Sequence, residues 1–414
     1  MFIFIYLLLL CIIITLTYFI YKSIFRSNVI FSLAWLVCAS FACYGYSNID
    51  RVSFLTNFYV VIYVIFFNFI YFVINSGSLK NCRLQNNNVK CISSFRLPIT
   101  LNIIALVMSI PLFFKAIRLI STFGFADFRA FAFVASAEFA STPTLIFFQN
   151  IIQPLYTATY IFIASGYIND QRSKVLNFIA LFTMFFNTIM FGGRDSIYQL
   201  IIIASIYILL RIEIYGKRGV HLLKYSMVLS STMVLGYFAV AARKFSGYSV
   251  IDTILLYYYG GFVFFDKKIQ NYIIKDAYMG GISYGFILNF LYIPLRALAG
   301  NVVIPLYDYA STMAHYIDIG RVQYNALGTV MLSNIYDFGS YLYLLGMLPI
   351  SIYIAFSDRL YYRSQNDLFF CSLRIYAIIC AIRCVQSNPT SNIDFSMVLL
   401  FLYTFTKKRR FLHV

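Results

Sequence analysis

Four short stretches of this chain carry residue types able to do chemistry. Phe191-Gly192-Gly193-Arg194-Asp195 lies between two closely spaced apolar segments. Its glycines permit a tight return, and Arg194 falls at the start of the next helix, where the dipole does not favour a lone cation. A guanidinium held there can grip a diphosphate through two parallel hydrogen bonds. The competing reading is a plain helical hairpin whose Arg194 pairs with Asp195 or with a lipid phosphate. Arg243-Lys244 places two adjacent cations at the end of another apolar segment, either as a second anion site or as side chains snorkelling to headgroups. Tyr324-Asn325-Ala326-Leu327-Gly328-Thr329 is followed by Tyr336-Asp337-Phe338-Gly339. Asp337 falls close to an expected membrane boundary, where an acid is costly unless paired or functional; a helix N-cap would also account for it. His315 has Asp318 three residues on. On a helix the two share a face, and a histidine oriented by a carboxylate can act as a general base; a solvated histidine is the alternative.

Other chemistries are poorly served. No Walker A loop, no GxGxxG and no HExxH pair is present. With three histidines in 414 residues, a histidine-based metal centre is excluded, and neither a metal nor a cofactor is expected. Six of the eight cysteines fall in apolar segments, where a free thiol behaves as a small hydrophobe. Cys82 and Cys91 share a basic loop without a completing ligand pair, so they are read as reduced and incidental.

The elements that must position these residues are membrane helices. Apolar residues make up 61% of the chain and charged residues 11%, against about 25% charged in a soluble domain. The apolar residues fall in segments long enough to cross a hydrocarbon layer of about 30 Å, and backbone groups in lipid must be satisfied within the segment. The expected fold is therefore all-α: a polytopic integral membrane protein with about 11 spans. The spans are placed at 1–21, 29–45, 55–74, 98–114, 144–166, 175–191, 195–210, 225–242, 340–357, 368–386 and 393–406. The first is read as a retained helix, because it has no basic n-region and no small-residue cleavage site.

Lys and Arg concentrate in alternate loops, including Lys22 and Arg26, the 80–96 loop, Arg172 and Lys174, the 211–224 loop, Arg359 and Arg363, and the 407–410 tail. The only acids in those loops are Asp170, Glu213, Asp358 and Asp367. By the positive-inside rule these loops are cytoplasmic, which explains most of the net charge of +17 without nucleic acid as a partner. Two outer segments are long, 115–143 and 243–340. Within the second, 249–265 and 282–299 are apolar enough to cross as a pair, lie flat or form a re-entrant pair. Arg374 and Arg383 fall inside one span and point to opposite faces. Arg374 can snorkel inward, and Arg383 lies near the outer end. The whole of 1–414 is read as a single transmembrane domain, with 243–340 as its large outer loop.

Three of these features occur in a familiar order: Gly192-Gly193-Arg194, then Tyr257-Tyr258-Tyr259-Gly260-Gly261, then Asn325 with Asp337-Phe338-Gly339. Across roughly residues 90–400 the chain resembles the oligosaccharide repeat-unit polymerases of the Wzy type, the O-antigen polymerases of lipopolysaccharide biosynthesis in Gram-negative bacteria. The resemblance implies a fold like that of the membrane glycosyltransferases acting on lipid-linked sugars, in the inner membrane, with its active site facing the periplasm. It implies metal-independent transfer of a growing glycan from undecaprenyl diphosphate to a hydroxyl of the next lipid-linked repeat unit. Arg194, Arg243 and Lys244 would neutralise the diphosphate, and Asp337 or His315 would serve the acceptor hydroxyl. Asn325, Tyr258 and Arg383 would contact substrate. The implied partners are the undecaprenyl-diphosphate-linked oligosaccharide and the lipid bilayer, with a chain-length regulator protein as an optional one. An O-antigen ligase and a lipid-linked-oligosaccharide flippase are the alternatives.

Overall fold

The computed structural model describes residues 1–76, 95–133, 141–169, 171–191, 195–215, 249–271, 278–299, 302–313, 315–324, 328–365 and 367–407. Those residues are overwhelmingly helical. The helices are α1 (Phe2–Tyr21), α2 (Ser27–Tyr44), α3 (Phe54–Asn75), α4 (Arg96–Phe133), α5 (Thr142–Phe147), α6 (Gln153–Ile168), α7 (Lys174–Phe191) and α8 (Asp195–Tyr215). They continue with α9 (Val250–Asn271), α10 (Gly285–Ala299), α11 (Pro305–Met313), α12 (Val330–Leu342), α13 (Leu348–Arg363), α14 (Leu368–Arg383) and α15 (Ile393–Thr406). A two-residue hairpin, β1 (Ile317–Asp318) on β2 (Gln323–Tyr324), follows α11.

Among the described residues, six helical segments are long and apolar enough to cross a membrane: Phe2–Tyr21, Ser27–Tyr44, Phe54–Asn75, Arg96–Gly124, Lys174–Phe191 and Val330–Arg363. The chain is thus an all-α protein with several membrane-crossing helices. Five of the expected spans are not among these six. The 144–166 span is built as α5 and α6 joined by a single π-helical stretch, Phe148–Ile152. The 195–210 span lies in α8, the 368–386 span is the 16-residue α14, and the 393–406 span is the 14-residue α15. The 225–242 span lies outside the described residues. Two boundaries also move. Residues 115–133 were expected in an outer loop but continue α4, which breaks only at Gly124 (φ 80°); Lys115 ends the apolar run without ending the helix. Residues 330–339 were expected to precede a span and are instead the helix α12, buried from Val330 to Asp337.

The described chain divides into two compact units. Unit 1 comprises residues 1–84, 240–363 and 376–395; unit 2 comprises 85–239, 364–375 and 396–414. Unit 1 is centred on α2 and α3. The α3 residues Thr56, Val60, Tyr63, Val64, Phe67 and Tyr71 form one buried stripe with the spacing of a helix face. Phe67 stacks on Phe31 with ring centroids 3.7 Å apart, and Tyr63 lies 4.8 Å from Trp35. Amides tie the helices across the apolar interior, where an unmatched polar group is expensive. Asn28 donates to Thr17 and to Asn68 (2.9 and 3.0 Å), and Asn68 donates to Ser32 (2.9 Å). At one end of the unit, buried Asp358 accepts from the Ser27 amide and hydroxyl (2.9 and 2.7 Å) and from the Tyr71 hydroxyl (2.6 Å). Arg26 is held between the rings of Tyr21 and Tyr362.

The helix α9 joins the opposite end. Asp252 in its first turn accepts from Ser47 (3.2 Å), and Lys267 near its last turn pairs with Asp50 (2.7 Å). Both ends of this helix therefore touch the single connection between α2 and α3, and its middle packs on α2 through Phe262 against Trp35 (5.4 Å). Between them Phe262, Val263, Phe264 and Phe265 are all fully buried, as expected for a helix covered on every side.

In unit 2, α4 packs on α7 through Phe113 stacked on Phe186 (4.1 Å), and α6 meets α4 through Asn102 donating to Thr159 (2.7 Å). Arg374 does not snorkel. Its guanidinium is fully buried and pairs with Glu213 of α8 at 2.8 Å. Removing one partner of such a pair strands the other charge, whereas replacing both leaves none. Arg374→Met alone is expected to cost about 3–5 kcal/mol. Arg374→Met combined with Glu213→Met should recover most of that loss, measured by thermal unfolding in detergent.

Candidate functional site

Asp337 is the fully buried acid of α12. The backbone bends two residues later, at Gly339 (φ 71°), a left-handed conformation that a side chain would strain. Beside this bend the chain from Tyr278 to Tyr284 coils into the start of α10 and wraps around the carboxylate. Ile282 N–H donates to Asp337 Oδ1 at 2.9 Å, and Ser283 N–H donates to Oδ2. The Asp337 carbonyl accepts from the Met279 N–H at 2.8 Å. These amides belong to the turn at 279–284 that leads into α10. A helix N-cap was the alternative for Asp337; it lies instead inside α12, whose N-cap is Thr329, and its carboxylate holds the turn before α10.

A buried polar network surrounds this carboxylate. Asn334, one turn before Asp337, accepts from the Ser283 hydroxyl (3.0 Å) and donates to the Tyr63 hydroxyl of α3 (3.4 Å). Asn388, in the connection between α14 and α15, donates to Ser333 (3.1 Å), and Thr390 donates to the Ser283 carbonyl (2.8 Å). Gly285 permits the closest approach: a Cβ there would lie 2.1 Å from the Ser391 carbonyl oxygen. Asn289 of α10 donates to that same oxygen at 3.0 Å. The network thus binds α3, α10, α12 and the 388–391 connection into one polar knot.

Three of the sequence-predicted residues belong to this part of unit 1. Asp337 is its centre. Arg383, half-buried in the last turn of α14, precedes Cys384, whose carbonyl accepts from Val330 N–H at the start of α12 (3.1 Å). Tyr258 is half-buried on α9, and the carbonyl of its neighbour Tyr257 accepts from Gln386 (3.4 Å). The Tyr257–Gly261 motif is largely structural: Tyr259 is buried, and a Cβ on Gly260 would lie 3.0 Å from the buried Tyr324 ring. His315 stands apart. It is exposed in the bend after α11, and Asp318 lies in β1, so the helical spacing that would align the two does not exist. Among the described residues neither side chain has a hydrogen-bond or ion-pair partner. Arg194, Arg243, Lys244 and Asn325 lie outside the described residues, as do Gly192 and Gly193.

The sequence reading missed Asn334, Asn388, Ser283 and the acid Asp266. Asp266 is buried on α9 and accepts from Ser53, from Thr56 (2.6 Å) and from Gln270 (2.9 Å). One signal was available: amides and acids set inside apolar runs are costly without partners. Next to Asp266, burial pushes the Lys268 ammonium below the usual lysine range. No family model, no curated protein and no solved structure matches this chain.

With both carboxylate oxygens engaged by amides, Asp337→Asn turns an acceptor into a donor facing an N–H. It is expected to lower folding stability by about 1–3 kcal/mol, with Asp337→Ala at least as severe, measured by thermal unfolding. Unchanged unfolding of a purified but inactive Asp337→Asn variant would instead identify the carboxylate as a reacting group.

Proposed function

We propose that this protein is an oligosaccharide repeat-unit polymerase. The observation that carries the reading is the order of Gly192-Gly193-Arg194, Tyr257–Gly261 and Asp337-Phe338-Gly339 within an all-α membrane chain. Further support comes from the polar knot in unit 1, to which the Asp337 motif contributes the helix α12. In the proposed reaction the anomeric carbon of a growing glycan leaves undecaprenyl diphosphate and joins a hydroxyl oxygen of an acceptor repeat unit. The bond broken is the one between that carbon and the diphosphate oxygen, and the acceptor hydroxyl gives up its proton.

The residues divide by charge. The diphosphate gains negative charge as the bond breaks, and fixed cations in a site with little water stabilise it. Arg194, Arg243 and Lys244 are assigned to that task through the resemblance. Arg383 and Tyr258 are assigned to substrate contact, with Asn325. Asp337 is better suited to holding the site in shape than to taking the proton, because its oxygens already accept two amide hydrogens. His315, exposed and without a partner among the described residues, is the freer of the two base candidates. With the resemblance goes an active site on the periplasmic face of the inner membrane.

The test is a gel of cell-surface lipopolysaccharide from a host strain lacking the gene, complemented with variants. Loss of long chains with persistence of core bearing a single repeat unit supports polymerisation; bare core would assign the defect to flipping or ligation and refute the reading. Arg194→Ala is expected to reduce polymer by about a hundredfold or more at an unchanged protein level, and His315→Ala to leave a smaller residual activity than His315→Gln.

A further inference from the structure

A groove of about 340 Å³ runs between α1 and α2, away from the polar knot. Its walls are apolar, with Leu7 and Leu10 on one side and Val37 and Phe41 on the other, and it ends at Tyr44 and Tyr46. Leu7, Val37 and Tyr44 are also exposed, on helices long and apolar enough to cross a membrane. The groove therefore opens sideways into hydrocarbon, and an acyl chain can enter it from the bilayer. Leu7 lies only a few residues from the start of α1 at Phe2, so the groove takes one end of a chain beginning at headgroup level.

Its mouth carries a cation. Gly45 closes α2 between the two tyrosines, in the left-handed region (φ 74°), and Arg51 folds back over it: a Cβ on Gly45 would lie 2.9 Å from Arg51 Cγ and 3.6 Å from Nε. Arg51 is exposed, and among the described residues it has no ion-pair or hydrogen-bond partner. The carboxylates on this edge are already engaged. Asp50 pairs with Lys267, and Asp252 accepts from Ser47 and from Ser249 (2.7 Å), whose hydroxyl holds the Asp252 carboxyl below the usual range. An apolar slot open to lipid, with an unengaged guanidinium at its mouth, matches one ligand chemistry: a hydrocarbon chain carrying a phosphate.

We propose that this groove is a binding site for an anionic phospholipid, with one acyl chain between α1 and α2 and the headgroup phosphate on Arg51. None of its lining residues belongs to the knot around Asp337, and the proposal does not rest on the polymerase reading. The full-length protein in detergent, supplied with equimolar phosphatidylglycerol and phosphatidylcholine, is examined by native mass spectrometry. Wild type is expected to retain phosphatidylglycerol over phosphatidylcholine by about fivefold, the gain from one basic residue at an anionic headgroup. Arg51→Gln should bring the two to parity, and Val37→Trp, which fills the slot, should reduce both. Arg51 and Val37 are exposed, so neither change removes a buried contact. An unchanged preference in Arg51→Gln overturns the proposal. So does displacement of phosphatidylglycerol by an equal amount of a polyprenyl phosphate, which would give the groove to a lipid carrier instead.

Discussion

A carboxylate taken out of water must find donors, and at Asp337 those donors are two backbone amides of a segment more than fifty residues earlier in the chain. That single arrangement decides several others. It holds the start of α10 against α12, which in turn requires the chain to turn away at Gly339 and brings Ser283 to Asn334. From Asn334 the network reaches Tyr63 on α3 and Asn388 beyond α14. Ser283, Asn334 and Asn388 each hold the next, so removing the carboxylate loosens a linked set of buried donors and acceptors.

The same rule operates elsewhere with different partners. Asp358 takes its donors from Ser27 and Tyr71 in unit 1, and Arg374 takes Glu213 in unit 2. Asp266 takes hydroxyls from the start of α3. In every case a charged or strongly polar group links elements far apart in sequence, as the low-dielectric interior demands of any ion it contains. Apolar packing alone, as in the Phe31–Phe67 and Trp35–Tyr63 contacts, brings helices together; the polar links fix their register.

Much of the helical architecture was legible because length and apolar content are local properties. Phe2–Tyr21, Phe54–Asn75 and Lys174–Phe191 agree with the sequence boundaries to within about two residues. The errors arose where hydropathy and helicity part company. Lys115 marks the edge of an apolar run in the middle of α4, and Val330–Asp337 is a buried helix that reads as a polar lead-in. The site was legible in part. Asp337 stood out as an acid near a membrane boundary, but its partners are backbone amides, which no side-chain pattern announces. His315 and Asp318 had a helical spacing that the hairpin after α11 does not use. Tyr259 and Gly260 drew attention as a motif, and packing against Tyr46 and Tyr324 accounts for them.

The knot around Asp337 holds α3, α10, α12 and the 388–391 connection together, so its integrity is the central structural claim. Hydrogen exchange of the 278–285 segment, followed by mass spectrometry in wild type and Asp337→Asn embedded in nanodiscs, tests that claim most directly. The account predicts slow exchange at Ile282 and Ser283 in wild type and fast exchange across the segment in the variant, with α1 and α2 unaffected. Equal protection in both proteins would contradict it, because the amides would then owe their shelter to something other than the carboxylate.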